Sequence, residues 1–158
     1  MYATRIIRHV QAPPEAVYRA LLDPGALAAW RVPDGMTARV HLFEAREGGA
    51  FRISLTYDDA RDTGKSGART DTYRGHFARL VPDARVVEVF AFETGEEALS
   101  GTMTLTTTLT ARGGGTDVEI LHEGVPDAVP RADNERGTGM ALGRLARLVE
   151  GRPAAEPE

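Results

Sequence analysis

The chain has 158 residues, 19 of them Lys or Arg and 23 Asp or Glu, with a formal net charge of -4 at pH 7 and no cysteine. That length suits one domain around one hydrophobic core. The missing cysteines exclude a disulfide framework, a thiol nucleophile, a zinc–thiolate site and an iron–sulfur cluster, and the mildly acidic balance argues against nucleic acid as a partner, because phosphate neutralisation needs a basic face.

Arg5 and Arg8 break up the first ten residues, which hold no continuous apolar core and do not read as a signal peptide. No stretch approaches the ~20 apolar residues of a membrane span, so the cytoplasm is the expected location. Residues 4–11 form a first strand with Ile6, Ile7 and Val10 as its apolar members. Pro13 and Pro14 stop it and open a helix, where a proline lacks only a donor that would go unused anyway. Glu15 suits the positive end of that helix, and Val17, Ala20, Leu21 and Leu22 supply its apolar face. Asp23-Pro24 restarts the pattern as N-cap and first helical residue, so a second short helix runs to Trp30.

Pro33-Asp34-Gly35 is a turn signal, and residues 36–44 and 50–57 read as a hairpin closed at 46–49. Phe51, Ile53, Leu55 and Tyr57 alternate with Arg52, Ser54 and Thr56, which predicts one buried and one wet face. Residues 58–70 are polar and without period, as expected of a long mobile loop. Strands follow at 72–80, 85–93, 101–110 and 116–123. In the strand from 101, Thr102, Thr104, Thr106, Thr108 and Thr110 form a solvent face opposite Met103, Leu105, Thr107 and Leu109. A last helix spans 131–150, with Leu142, Leu145, Ala146 and Val149 as a core stripe. Extended backward, that stripe meets only Thr138 and Ala141. Gly137, Gly139 and Gly143 each weaken the helix by about 1 kcal/mol relative to alanine, so packing must hold it. Residues 151–158, with two prolines, read as a disordered tail on a single 1–150 domain. The order β–α–α, six strands, then a long helix predicts an α+β fold, a curved antiparallel sheet against the C-terminal helix.

This order, with the words Pro13-Pro14-Glu15-Ala16-Val17-Tyr18, the helix ending at Trp30, Glu47-Gly48-Gly49-Ala50-Phe51-Arg52, Gly75 to Pro82, His122-Glu123-Gly124 and Gly137 to Leu148, resembles the START-like (SRPBCC, helix-grip) superfamily. It looks most like the branch related to the activator of Hsp90 ATPase. The resemblance implies a sheet of about six to seven strands wrapped around the last helix, with a hydrophobic cavity between them. Members bind lipids, hormones or polyketides there, and some catalyse reactions in it. Two departures stand out. The family often has Gly-Trp at the start of the last helix, where this chain has Gly137-Thr138. An apolar residue is usual where Glu88 stands.

Glu88 shares by period two the face of Phe90 and Phe92. Buried, it must pair with a donor or titrate upward, which makes it a candidate ligand handle or general acid–base. His122 has the inward parity of Val118 and Ile120; it is either a satisfied core histidine or a group that orients a polar ligand. Trp30, Phe51, Ile53, Phe90, Phe92, Met103 and Leu105 are candidate cavity lining from the sheet side, and Thr138, Ala141 and Leu142 from the helix, with plain core as the alternative. The small residues opposite a concave sheet favour open volume. Asp133 is expected to cap the last helix. His9, His41 and His76 are scattered, so no metal is expected, and no cofactor either. The first expectation is therefore a protein that binds a small apolar molecule. The second is a cyclase- or hydrolase-like enzyme using Glu88 and His122 on a polyketide-like or aromatic substrate. The third is a co-chaperone-like module that stimulates an ATPase. The threonine-rich outer face is compatible with a homodimer.

Overall fold

The computed structural model describes residues 1–58 and 70–151. The expected mobile loop, apart from its first and last residues, and the expected tail, apart from Gly151, lie outside that range. Strand β1 (Tyr2–Val10) leads into helices α1 (Pro14–Leu21) and α2 (Pro24–Trp30), and strands β2 (Met36–Phe43), β3 (Ala50–Tyr57), β4 (Thr70–Val81), β5 (Arg85–Phe92), β6 (Met103–Arg112) and β7 (Gly115–Val125) follow. Helix α3 (Arg131–Val149) closes the domain. The strands form one sheet in the order β1-β7-β6-β5-β4-β3-β2, every neighbouring pair antiparallel. This is the expected α+β helix-grip architecture. No helix among the described residues is long and apolar enough to cross a membrane.

The helix starts follow local chemistry. Asp23 accepts the Gly25 N–H at 2.9 Å and caps α2, as its position predicts. Helix α3 differs from expectation: it begins after Pro130, with no side-chain cap. Asp133 therefore sits inside the first turn, where it accepts from Arg136 Nη1 at 3.3 Å. Strand β6 starts at Met103 and not at residue 101, because Gly101 has a left-handed φ of 112° that no strand continues.

The period-two pattern of β6 holds: Met103, Leu105, Thr107 and Leu109 are buried, and Thr104, Thr106 and Thr108 are half-buried. Curvature comes from register shifts in β2 between Val40 and Leu42 and in β4 between Phe77 and Arg79. It also needs Gly75, where a Cβ would lie 2.0 Å from the Val89 carbonyl oxygen and 2.7 Å from Phe90 Cβ. Only glycine lets β4 press that closely on β5. The concave face holds a run of aromatic contacts, Phe43–Phe77 at 5.4 Å, Phe51–Phe77 at 5.2 Å and Tyr73–Phe90 at 5.6 Å between ring centroids. Helix α3 meets this face with Leu142, Leu145 and Ala146, all fully buried.

Candidate functional site

Toward its N-terminal half α3 presents Gly137, Thr138 and Ala141 to the sheet, and none of them reaches across. A cavity of about 250 Å³ remains. Its sheet side is Leu55, Tyr73, Phe90, Phe92, Leu105, Ile120 and His122; its helix side adds Asp133, Asn134 and Arg144 to the small residues; Trp30, Arg31 and Pro33 close the flank. A Cβ built on Gly137 meets nothing within 4 Å, so a methyl group there would not clash.

Of the residues expected from sequence, Trp30, Phe90, Phe92, Leu105, His122, Thr138 and Ala141 line this cavity. Phe51, Ile53, Met103 and Leu142 do not; they are buried in the packed core. The strand parity of Phe51, Ile53 and Met103 and the helical stripe of Leu142 point inward, but a period fixes only the face and not the position along it. Glu88 is also absent from the wall. It is buried behind Arg31, which lines the cavity and donates from Nη1 to both Glu88 carboxylate oxygens, at 2.8 and 3.0 Å.

Glu88 and His122 belong to one row across the sheet. Phe77 faces Glu88, Glu88 faces Leu105, Leu105 faces His122, and His122 faces Thr4. Leu105 thus separates the two candidates by two strand spacings, roughly 9–10 Å, and no hydrogen bond joins them among the described residues. Each is instead held by a helix. The C-terminus of α2 delivers Arg31 to Glu88. The first turn of α3 delivers Asn134, whose Nδ2 donates to His122 Nδ1 at 3.1 Å and whose Oδ1 accepts from Thr4 Oγ1.

The electrostatics follow from burial. Desolvation pushes the Arg31 guanidinium down, but the Glu88 charge and hydrogen bond outweigh it, and the net shift is upward. Arg31 stays charged, with its Cζ also 5.7 Å from the Trp30 ring centroid. Burial raises the Tyr73 phenol. Burial and then the Arg31 charge lower His122 to about 4, so it is a neutral imidazole at neutral pH. Its ring leans on Phe90, 5.8 Å between centroids at 33°. Arg144 ties the helix side to α2, donating from Nε to the Trp30 carbonyl at 3.1 Å and reaching Asp34 at 3.4 Å. Glu88 is thus engaged by Arg31 and distant from His122, and the wall combines aromatic faces with a few polar groups.

Sequence reasoning missed Arg31, Pro33, Leu55, Tyr73, Ile120, Asp133, Asn134, Gly137 and Arg144 as wall residues. Ile120 shares the parity of His122, and Asn134 lies one turn before Thr138 and Ala141 on the same stripe, so period alone could have found both. Arg31 gives no such signal, because it follows the last helical residue of α2 and its partner is 57 positions away.

A family model described as Activator of Hsp90 ATPase homolog 1-like protein matches residues 11–150. A crystal structure of a protein from Chromobacterium violaceum is 35% identical, with a TM-score of 0.82 over 95% of this chain and 99% of that one. At 20% identity and a TM-score of 0.69, an AHSA1-like protein from Aeromonas hydrophila covers 99% of both chains. DynU16, a protein of the dynemicin biosynthetic locus, is 21% identical with a TM-score of 0.68, over 99% of this chain and 50% of its own. These last two share the fold alone. No curated protein matches the chain.

Proposed function

The chain belongs to the activator of Hsp90 ATPase homolog 1-like family, and from that premise we propose that it binds a small, largely apolar ring compound between the sheet and α3. The observation that supports this is the cavity itself. Its 250 Å³ exceeds the ~150 Å³ of an apolar cavity able to hold benzene, so a mono- or bicyclic molecule is the natural occupant. Tyr73, Phe90 and Phe92 offer ring faces, and Arg31, His122 and Thr138 offer polar contacts. The enzymatic reading loses its acid–base pair, since Leu105 stands between Glu88 and His122.

The test is thermal unfolding with a panel of uncharged mono- and bicyclic aromatic compounds, together with native mass spectra of protein from its own host. A ligand at 100 times its Kd adds about 2.7 kcal/mol to stability, so binders should raise the melting temperature with concentration. Thr138→Leu should abolish that rise by filling the space. No rise with any compound, and a clean apo mass, would overturn the reading. Saturable stimulation of an Hsp90 ATPase that Thr138→Leu leaves intact would place the activity on the surface instead.

A further inference from the structure

The buried polar atoms of the cavity-wall residues that lack a partner are both donors, and the hydrogen-bond chain shows why. Thr4 Oγ1 donates to Asn134 Oδ1. That leaves Asn134 Nδ2 to donate to His122 Nδ1 at 3.1 Å. A neutral imidazole carries one ring proton, and with Nδ1 accepting, that proton sits on Nε2. His122 Nε2 is buried and has no hydrogen-bond partner among the described residues. The same is true of Trp30 Nε1, on a side chain only 1% exposed, and an indole nitrogen can only donate. Arg31 is a third donor with no acceptor atom, bonded to Glu88 through Nη1 alone.

The side-chain acceptors of the cavity wall are either taken or sit at its exposed rim. Asn134 Oδ1 is held by Thr4, and both Glu88 oxygens are held by Arg31. Asp133 lines the rim, where it is 56% exposed and meets Arg136. The Tyr73 and Thr138 hydroxyls can serve either way. Charge is balanced as well: Arg31 is matched by Glu88 and Arg144 by Asp34, so nothing calls for an ion.

We propose that the cavity selects neutral ring compounds that carry a bare acceptor oxygen, such as a ketone, quinone or ester carbonyl, over the hydrocarbon of the same shape. This rests on the cavity being the ligand site. An unpaired buried donor is costly, so a carbonyl that reaches His122 Nε2 or Trp30 Nε1 recovers free energy that a hydrocarbon cannot.

Indane and 1-indanone differ by that one oxygen, and both are smaller than the cavity. Their affinities for the full chain are compared by titration in 1H–15N spectra, where the single tryptophan gives one indole N–H signal. 1-Indanone should bind at least about tenfold tighter (about 1.4 kcal/mol) and move the Trp30 indole proton or the His122 Nε2 proton downfield, which indane should not. His122→Phe or Trp30→Phe, whichever folds, should shrink the preference to less than about threefold. Equal affinity for the two compounds, with neither proton moved, overturns the selectivity and leaves the binding site standing. Binding of neither overturns both.

Discussion

The two halves of α3 are held to the same sheet by different forces. The C-terminal half is packed: Leu142, Leu145 and Ala146 are fully buried among apolar neighbours. The N-terminal half faces the cavity and is tethered by directed contacts. Arg131 Nη1 donates to the Ala3 carbonyl at 2.8 Å, and its guanidinium lies 4.7 Å from the Tyr2 ring centroid. Asn134 bonds to both Thr4 and His122. Polar bonds hold position at short range without needing filled volume, so they can fix a helix over an open space where non-directional packing cannot. One helix therefore closes a core at one end and keeps a pocket open at the other.

The sharpest way to test the contrast between directed contacts and packing is to remove one directed contact of the cavity wall and one packing group of α3, and ask which loss can be repaired. Arg31→Met leaves Glu88 buried without its partner and should cost about 3–5 kcal/mol in denaturant unfolding. Adding Glu88→Leu should restore stability to within about 1 kcal/mol of the parent, since a well-packed apolar pair often replaces a buried ion pair without loss. Leu145→Ala, at the packed end, should cost about 2–5 kcal/mol, and no single polar change elsewhere should recover it. If the double variant stays as unstable as Arg31→Met, the pair does more than neutralise itself.

The sequence pattern carried the packed half well and the tethered half poorly. Leucines at helical spacing and the alternation in β3 and β6 are statements about burial, and burial is what periodicity encodes. Asp23 was legible because its partner is two residues away. The directed contacts are not legible, because Thr4 and Asn134 are 130 positions apart and Arg31 and Glu88 are 57 apart. Asp133 attracted the capping role from its type and place, while Pro130, one turn earlier, fixed the start of α3. Glu88 is buried, as its parity predicts, but only the fold supplies the guanidinium that neutralises it.

A smaller effect sharpens the electrostatic side. His122 is lowered in the folded chain from the ordinary 6.5 to about 4. The unfolded chain takes up this proton first as pH falls, so the contribution to stability is complete above about pH 6.5 and is lost on descent toward about pH 4. The full loss is roughly 3 kcal/mol at 1.36 kcal/mol per unit. Glu93 and Asp117, lowered by their bonds to Arg52 and Arg112, also lose their stabilising contributions in acid, but as their own carboxylates take up protons. His122→Phe should therefore flatten the fall in unfolding free energy between pH 6.5 and 4.5, where the imidazole dominates. An unchanged slope would mean that some other group carries the acid sensitivity.

The smallest effect separates the two halves of α3 most cleanly. Gly137 lies on the cavity side and Gly143 in the packed half, and at both a Cβ meets nothing within 4 Å. Neither has a left-handed φ, so alanine fits the backbone at both and should add about 0.5–1 kcal/mol through helix propensity alone. Stability measurements should then not tell the two variants apart. Ligand affinity should, because the Gly137→Ala methyl projects from a wall residue and the Gly143→Ala methyl does not. A bicyclic ligand should lose several-fold in affinity for Gly137→Ala and none for Gly143→Ala. Equal affinities would mean that the ligand sits away from the small-residue half, and the explanation of why α3 begins with small side chains would then fall.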